Sequence, residues 1–271
     1  MPACVHKGVH LCPCPRQPAG VSRRMQARGL AHSRGMARII SVASTKGGVG
    51  KTTIAYELAW LLGGPLVDLD WDAGGATRQW GYRHERRLRA PLLDALERSS
   101  TPVPLRGVRK PDLVPSHPDF VGYQPAPEDM AGALEKWAGE WGRDSVVVDT
   151  HPGAVPATFG AMAASSVVVV PVVLATKELE AFAGMVSELP DYPILVVPNR
   201  VPRVPPAYEL ARLRRLCEQA RVRVSPVISD HRWLARRRLR VALTAYDPEP
   251  ARVKAVADEM RKVAQAVHSY E

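Results

Sequence analysis

One nine-residue string limits what this chain can fold into more than any other feature: Thr45-Lys46-Gly47-Gly48-Val49-Gly50-Lys51-Thr52-Thr53. A short β-branched run, Ile39 to Ala43, precedes it, and an apolar helical pattern, Thr52 to Leu62, follows. Strand, glycine-rich bend and helix in that order match the phosphate-binding pattern G-x-x-x-x-G-K-[ST], with Thr45 standing where the first glycine would be. The chemistry tolerates that departure. Gly47, Gly48 and Gly50 lack a Cβ, so successive backbone N–H groups can turn toward one anion, and the helix beginning near Lys51 aims its positive dipole end at the same point. Lys51 is expected to neutralise the β and γ phosphates, and Thr52 to place its hydroxyl on Mg²⁺. Val49 and Thr53 complete the expected cofactor-binding loop, and the cofactors it calls for are ATP and Mg²⁺.

From Met36 onward the chain alternates strand and helix. Buried-strand candidates are Ile39 to Ala43, Pro65 to Leu69, Asp112 to Pro115, Ser145 to Asp149, Ser166 to Val173 and Ile194 to Pro198. Several are continuous β-branched runs, which suits strands covered on both faces. Helical patterns occupy Thr52 to Leu62, Glu128 to Trp141, Leu179 to Leu189, Ala207 to Ala220 and Ala251 to Val267. The last carries Val253, Val256, Met260, Val263 and Val267 at three-to-four spacing, a core-facing stripe. The alternation predicts an α/β fold: a doubly wound, mainly parallel sheet with helices on both faces.

Two acids, Asp68 and Asp70, end the second strand, at the sheet edge where the glycine-rich loop also lies. Val146-Val147-Val148-Asp149 is an apolar strand ending in a third acid, and Asp149 is a candidate metal-shell residue. Lys46 is a second lysine beside a loop that needs only one to hold phosphate. The string K-G-G-V-G-K-T-T resembles the deviant Walker A motif of the ParA/MinD family of P-loop ATPases, with ParA-like (Soj-like) partition ATPases the nearest likeness, and the resemblance extends through most of the chain after Met36.

That resemblance implies specific roles. The lysine matching Lys46 reaches across an ATP-bound homodimer to the partner's phosphates, adding positive charge where transition-state charge develops. Asp70 matches the second acid of the family's D-x-D motif and organises the attacking water, so Lys46, Lys51 and Asp70 form the expected catalytic set. Asp68 is read as serving the metal's outer shell or backbone donors. Thr150-His151-Pro152-Gly153 resembles the family's D-T-P-P switch segment, with His151 replacing the first proline, and Trp71-Asp72 stands where relatives commonly have Pro-Gln. Asn199 resembles the strand-end asparagine that contacts adenine.

Charge is unevenly placed. The formal net charge is +10, yet residues 200 to 240 hold 12 arginines against Glu209, Glu218 and Asp230. Such a local positive field suits a polyanion-binding face. Asp230 to Arg240 corresponds to a region where segregation relatives bind DNA without sequence preference, which makes Arg232, Arg236, Arg237, Arg238 and Arg240 the DNA-binding candidates. Arg212, Arg214, Arg215, Arg221 and Arg223 extend that charge. No helix-turn-helix pattern precedes the ATPase region, so backbone rather than base recognition is expected. The resemblance further implies a ParB-like centromere-binding partner, slow Mg-dependent hydrolysis and a cytoplasmic, nucleoid-associated protein. The alternatives are a MinD-like membrane-associated positioning ATPase and a nucleotide-switched regulatory binder with little turnover.

Residues 1 to 35 hold six basic side chains and no acid, with four prolines and no apolar periodicity. They read as a disordered basic extension, with Met36 as the natural start and 36 to 271 as the ATPase domain. Cys4, Cys12 and Cys14 lack the paired spacing of a structural zinc site, and Cys217 reads as a small core thiol. The longest apolar stretch, Ser166 to Ala175, is about half of the roughly 20 residues a bilayer span needs, so a membrane-spanning protein is not expected.

Overall fold

The computed structural model describes residues 37–72, 75–86, 90–237 and 240–270. The basic extension and Met36 therefore lie outside the described residues, as does Arg238. Seven parallel strands form one sheet: β1 (Arg38–Val42), β2 (Leu66–Asp68), β3 (Leu113–Val114), β4 (Ser145–Asp149), β5 (Val167–Val173), β6 (Ile194–Asn199) and β7 (Arg223–Val224). Their spatial order is β3-β2-β4-β1-β5-β6-β7, and every pairing between them is parallel.

The continuous apolar strands are covered on both faces, as their composition predicts. Ile40 and Val42 of β1 enter one cluster with Val147, Val167, Val169, Leu195 and Val197. Their neighbours point the other way: Ile39, Val146 and Val148 join a second cluster, and Val168, Val170, Val172, Ile194 and Val196 a third. Helix α1 (Lys51–Leu61) and helix α8 (Ala251–His268) cover the first face. All five residues of the predicted α8 stripe are buried there. Each such side chain contributes about 1.5–3 kcal/mol relative to exposure.

The other face carries α3 (Pro91–Glu97), α4 (Pro127–Trp141), α5 (Pro156–Ala164), α6 (Thr176–Glu188) and α7 (Ala207–Ala220). Helix α4 starts on Pro127 with Glu128 and Asp129 in its first turn, and Gly142 ends it in the left-handed conformation. A short helix, α2 (Ala76–Trp80), follows β2. Cys217 is buried in α7, and burial pushes its thiol up to about 11. It is the inert core residue its sequence context predicts.

Strand order positions the site. β1 lies in the middle of the sheet, with β4 on one side and β5 on the other. The chain winds outward in opposite directions from this point, which opens a crevice beyond the carboxyl ends of the central strands. The glycine-rich loop leaves β1 into that crevice.

Candidate nucleotide-binding site

The loop's backbone is fixed at two glycines. Gly48 has φ 77° and Gly50 φ 99°, a region that strains residues bearing a Cβ. Gly50 has a steric reason as well: a Cβ there would lie 2.3 Å from the Asn199 amide nitrogen. A Cβ on Gly47 or Gly48 would meet nothing within 4 Å, so this side of the loop faces open space. Helix α1 begins directly after Gly50, leaving its first N–H groups turned toward the same space.

Three contacts brace the loop. Asn199, at the end of β6, donates its amide to the Val49 carbonyl at 2.7 Å. The Lys46 N–H donates to the Ser44 hydroxyl oxygen at 3.2 Å, and the Gly153 N–H, beyond β4, donates to the Ser44 carbonyl at 3.3 Å. Asn199 thus has a loop-holding role that its resemblance did not indicate. The Lys46 backbone is tethered while its side chain is exposed, with no ion pair among the described residues.

Charged side chains converge behind the loop. Lys51 is only 6% exposed. Burial lowers its affinity for a proton, and the nearby charges of Asp149 and Asp70 oppose that shift. Asp149 is fully buried, and among the described residues neither of its carboxylate oxygens has a hydrogen-bond partner. Burial first, then the charge of Asp68, raises its pKa well above the carboxylate range, while the Thr52 hydroxyl and Lys51 partly relieve it. An orphaned acid beside a threonine hydroxyl is a poor structural element and a good hard-cation environment, so the donor set fits Mg²⁺.

Asp70 and Asp68 are differently employed. Asp68 accepts hydrogen bonds from the Asp70 N–H at 3.0 Å and from both the N–H and the hydroxyl of Thr77 at 2.6 Å each. Its carboxylate fastens β2 to the start of α2, the second of the two roles read from the sequence. Burial still pushes it up to about 7. Among the described residues Asp70 accepts only the Asp72 N–H, at 3.1 Å, and burial raises its pKa as well. It borders a cavity of about 200 Å³ lined also by Trp71, Thr77, Ser116 and His117.

The two departures from the family pattern meet each other. The rings of Trp71 and His151 stack at 3.8 Å with planes 7° apart, and His151 Nε2 lies 3.3 Å from the Asp72 carboxylate. This stacked pair lies beside Asp70, at two positions where the sequence departs from the expected family pattern.

The arginine segment lies elsewhere on the molecule. Residues Arg232–Arg236 form one 3-10 turn whose Trp233 and Leu234 pack on the core, turning Arg232 and Arg236 outward. Arg237 and Arg240 flank it. Arg223 is drawn instead over the ring of Tyr270. Sequence reasoning did not find Tyr56 and Glu57 of α1, which hold this segment. The Tyr56 hydroxyl donates to the Arg240 carbonyl at 2.6 Å. Glu57, only 1% exposed, accepts from the Leu243 N–H at 2.6 Å, the Thr244 N–H at 3.1 Å and the Thr244 hydroxyl at 3.0 Å. A glutamate inside an otherwise apolar helix face was the available signal.

A glycine bend at the switch point of a parallel sheet, backed by a buried lysine and an orphaned acid, defines a P-loop nucleotide-binding protein. The AAA domain family matches residues 37–191. The chain is 38% identical over 168 residues to the chromosome-partitioning ATPase Soj of Thermus thermophilus, covering 58% of this chain and 63% of that protein. It is 29% identical over 177 residues to the chromosome partitioning protein ParA of Myxococcus xanthus, covering 58% of this chain and 61% of that one. The matched stretch thus spans less than two thirds of either relative. Among solved structures, the septum site-determining protein MinD of Pyrococcus horikoshii, complexed with Mg-ADP, superposes with a TM-score of 0.64 at 21% identity. That match covers 86% of this chain and 97% of the other. The chain belongs to the ParA/MinD family of deviant Walker A P-loop ATPases.

Proposed function

We propose that this protein is a ParA-like partition ATPase that binds ATP with Mg²⁺, dimerises on it, holds nucleoid DNA, and releases it when a ParB-like centromere-binding partner stimulates hydrolysis. The observation that carries the reading is the convergence of Lys51, Asp70 and Asp149 behind an open, amide-lined loop.

The loop amides and the head of α1 hold the β and γ phosphates, and Lys51, already desolvated, gains in them the counter-charge it lacks. Mg²⁺ would be held by Thr52 and Asp149 and would supply positive charge against the phosphates. Asp70 keeps a carboxylate oxygen free to orient a water on the γ-phosphate. Attack forms one P–O bond as the bond to the ADP oxygen breaks, giving ADP and inorganic phosphate. Lys46, exposed and without an ion-pair partner among the described residues, is a side chain able to reach a second protomer's phosphates. Asn199, with its amide committed to Val49, offers its carbonyl oxygen to the adenine amine. Arg232 and Arg236, with Arg237, Arg238 and Arg240, meet the DNA backbone.

The apolar stripe of α8 packs on the core, and among the described residues no helix is long and apolar enough to cross a membrane. Phosphate release tests the site. Asp70→Ala is expected to bind ATP normally and hydrolyse it about 100-fold or more slowly. Equal rates would remove Asp70 from catalysis. Co-sedimentation with DNA or with anionic liposomes, each with and without ATP, tests the cargo, and ATP-dependent pelleting with liposomes alone would contradict the partition reading.

A further inference from the structure

The arginine segment is joined to a part of the chain that its sequence gives no reason to associate with it. The Ala242 N–H donates to the Arg109 carbonyl at 2.8 Å, and Arg109 Nε donates to the Ala245 carbonyl at 3.1 Å. The guanidinium groups of Arg109 and Arg237 lie over the same ring, that of Tyr246, at 5.3 and 5.9 Å from its centroid. The Arg240 side chain occupies the space beside Gly81, where a Cβ would come within 2.6 Å of it. Lys110 sits 3.3 Å over the Trp80 ring and donates to the Trp80 carbonyl at 2.9 Å. Burial, and after it the charge of Arg240, lowers the Lys110 pKa, so the two cations share one neighbourhood.

Four cations from separate stretches of chain are thereby gathered about two aromatic rings. Among the described residues none of the four has an ion-pair partner, whereas Arg106 beside them pairs with Asp112. The buried carboxylate of Glu57 feels Arg237 but is already taken up by Leu243 and Thr244. Like charges gathered this way repel one another, and an external polyanion relieves them. The rings also select the polyanion. Single-stranded nucleic acid is held by bases stacking on free aromatic faces. Here Lys110 lies over Trp80, and Arg109 and Arg237 lie over Tyr246, so the surface offers cations rather than stacking platforms.

We propose that Arg109 and Lys110, from the loop before β3, form one duplex-DNA backbone-binding surface with Arg237 and Arg240, mounted on α1 by Tyr56 and Glu57. This rests on the partition reading above and extends it to residues outside the arginine-rich segment. The mounting matters because α1 is also the helix whose first residues, Lys51 and Thr52, face the nucleotide. The two anion sites therefore share one rigid element.

The test is binding of a labelled duplex with ATP and Mg²⁺ present, measured by anisotropy across a salt series. Wild type is compared with Arg109→Gln/Lys110→Gln and, separately, Arg240→Gln. Glutamine keeps most of each side-chain stem, and thermal unfolding midpoints check that the variants fold. The double variant is expected to lower the slope of log affinity against log salt by about 1.8, and Arg240→Gln by about 0.9. Wild-type binding with an unchanged slope and affinity in all variants would overturn this inference alone. Failure of the wild type to bind duplex would overturn the partition reading and this inference with it. Tighter binding to a single strand of equal length would overturn the duplex assignment.

Discussion

The glycine-rich loop and the arginine-rich surface are built on opposite principles. The loop at residues 44–53 uses backbone amides, one buried lysine and buried acids whose protonation is perturbed by desolvation. The basic surface uses exposed arginines, Arg232 being 92% exposed. In the first, geometry is prepared and water is displaced, so each charge acts in a low effective dielectric and little is screened by salt. In the second, charges act through solvent, each adds little, and the sum falls steeply with ionic strength. One region is thus suited to recognising a particular phosphate chain, and the other to holding any regular run of phosphates.

The largest separation between the two regions should come from Lys51→Ala. Losing a desolvated, charge-assisted contact is expected to weaken ATP binding about 100-fold, roughly 3 kcal/mol, in titration calorimetry. A loss of less than about tenfold would mean that amides alone hold the phosphates. Next in size is a pair of glycine variants. Gly50→Ala combines positive φ with a clash on Asn199 and should cost about 1–3 kcal/mol in denaturant unfolding. Gly47→Ala, facing open space, should leave stability nearly unchanged while weakening nucleotide binding. Equal destabilisation by both would contradict the assignment of open space to the ligand.

A pH effect of intermediate size follows from Asp68. Its folded pKa, about 7, stands above its ordinary value of 3.8 because burial disfavours the charged form. Between those values this group binds more protons in the folded protein than in the unfolded chain, so its contribution to stability falls as pH rises through that window and levels off above about 7. Urea midpoints of the nucleotide-free protein should show this decline, and Asp68→Asn should flatten it. No such decline in wild type would mean that the Thr77 and Asp70 donors outweigh burial. The smallest expected change is in the basic region: Arg232→Ala should lower the salt slope of DNA binding by about 0.9 and affinity by a few-fold. A tenfold or greater loss that salt does not abolish would show that this region, too, is a shaped site.

What the sequence revealed divides along similar lines. The six expected strands are all present, because continuous β-branched runs are what a sheet covered on both faces requires. The bend of the loop was equally legible, since its glycines act through local backbone geometry. Three helices were missed. Residues 156–164 in α5, PATFGAMAA, lack an apolar period because most of the helix is buried, and α2 and α3 are only five and seven residues long. The strand β7 is two exposed residues held to β6 by backbone pairing, with no side-chain pattern to read. Glu57 and its acceptor role at Leu243 could not be anticipated, because the partners are 186 residues apart. Arg109 and Lys110 were hidden for the same reason: the contacts that make them part of a surface are tertiary.

The most direct measurement is a titration of the purified protein with ATP and Mg²⁺, following bound nucleotide and molecular mass together. The account predicts saturable binding that changes little with ionic strength and a shift from monomer to dimer that is lost in Lys46→Ala. A protein that stays monomeric and binds no ATP would contradict it.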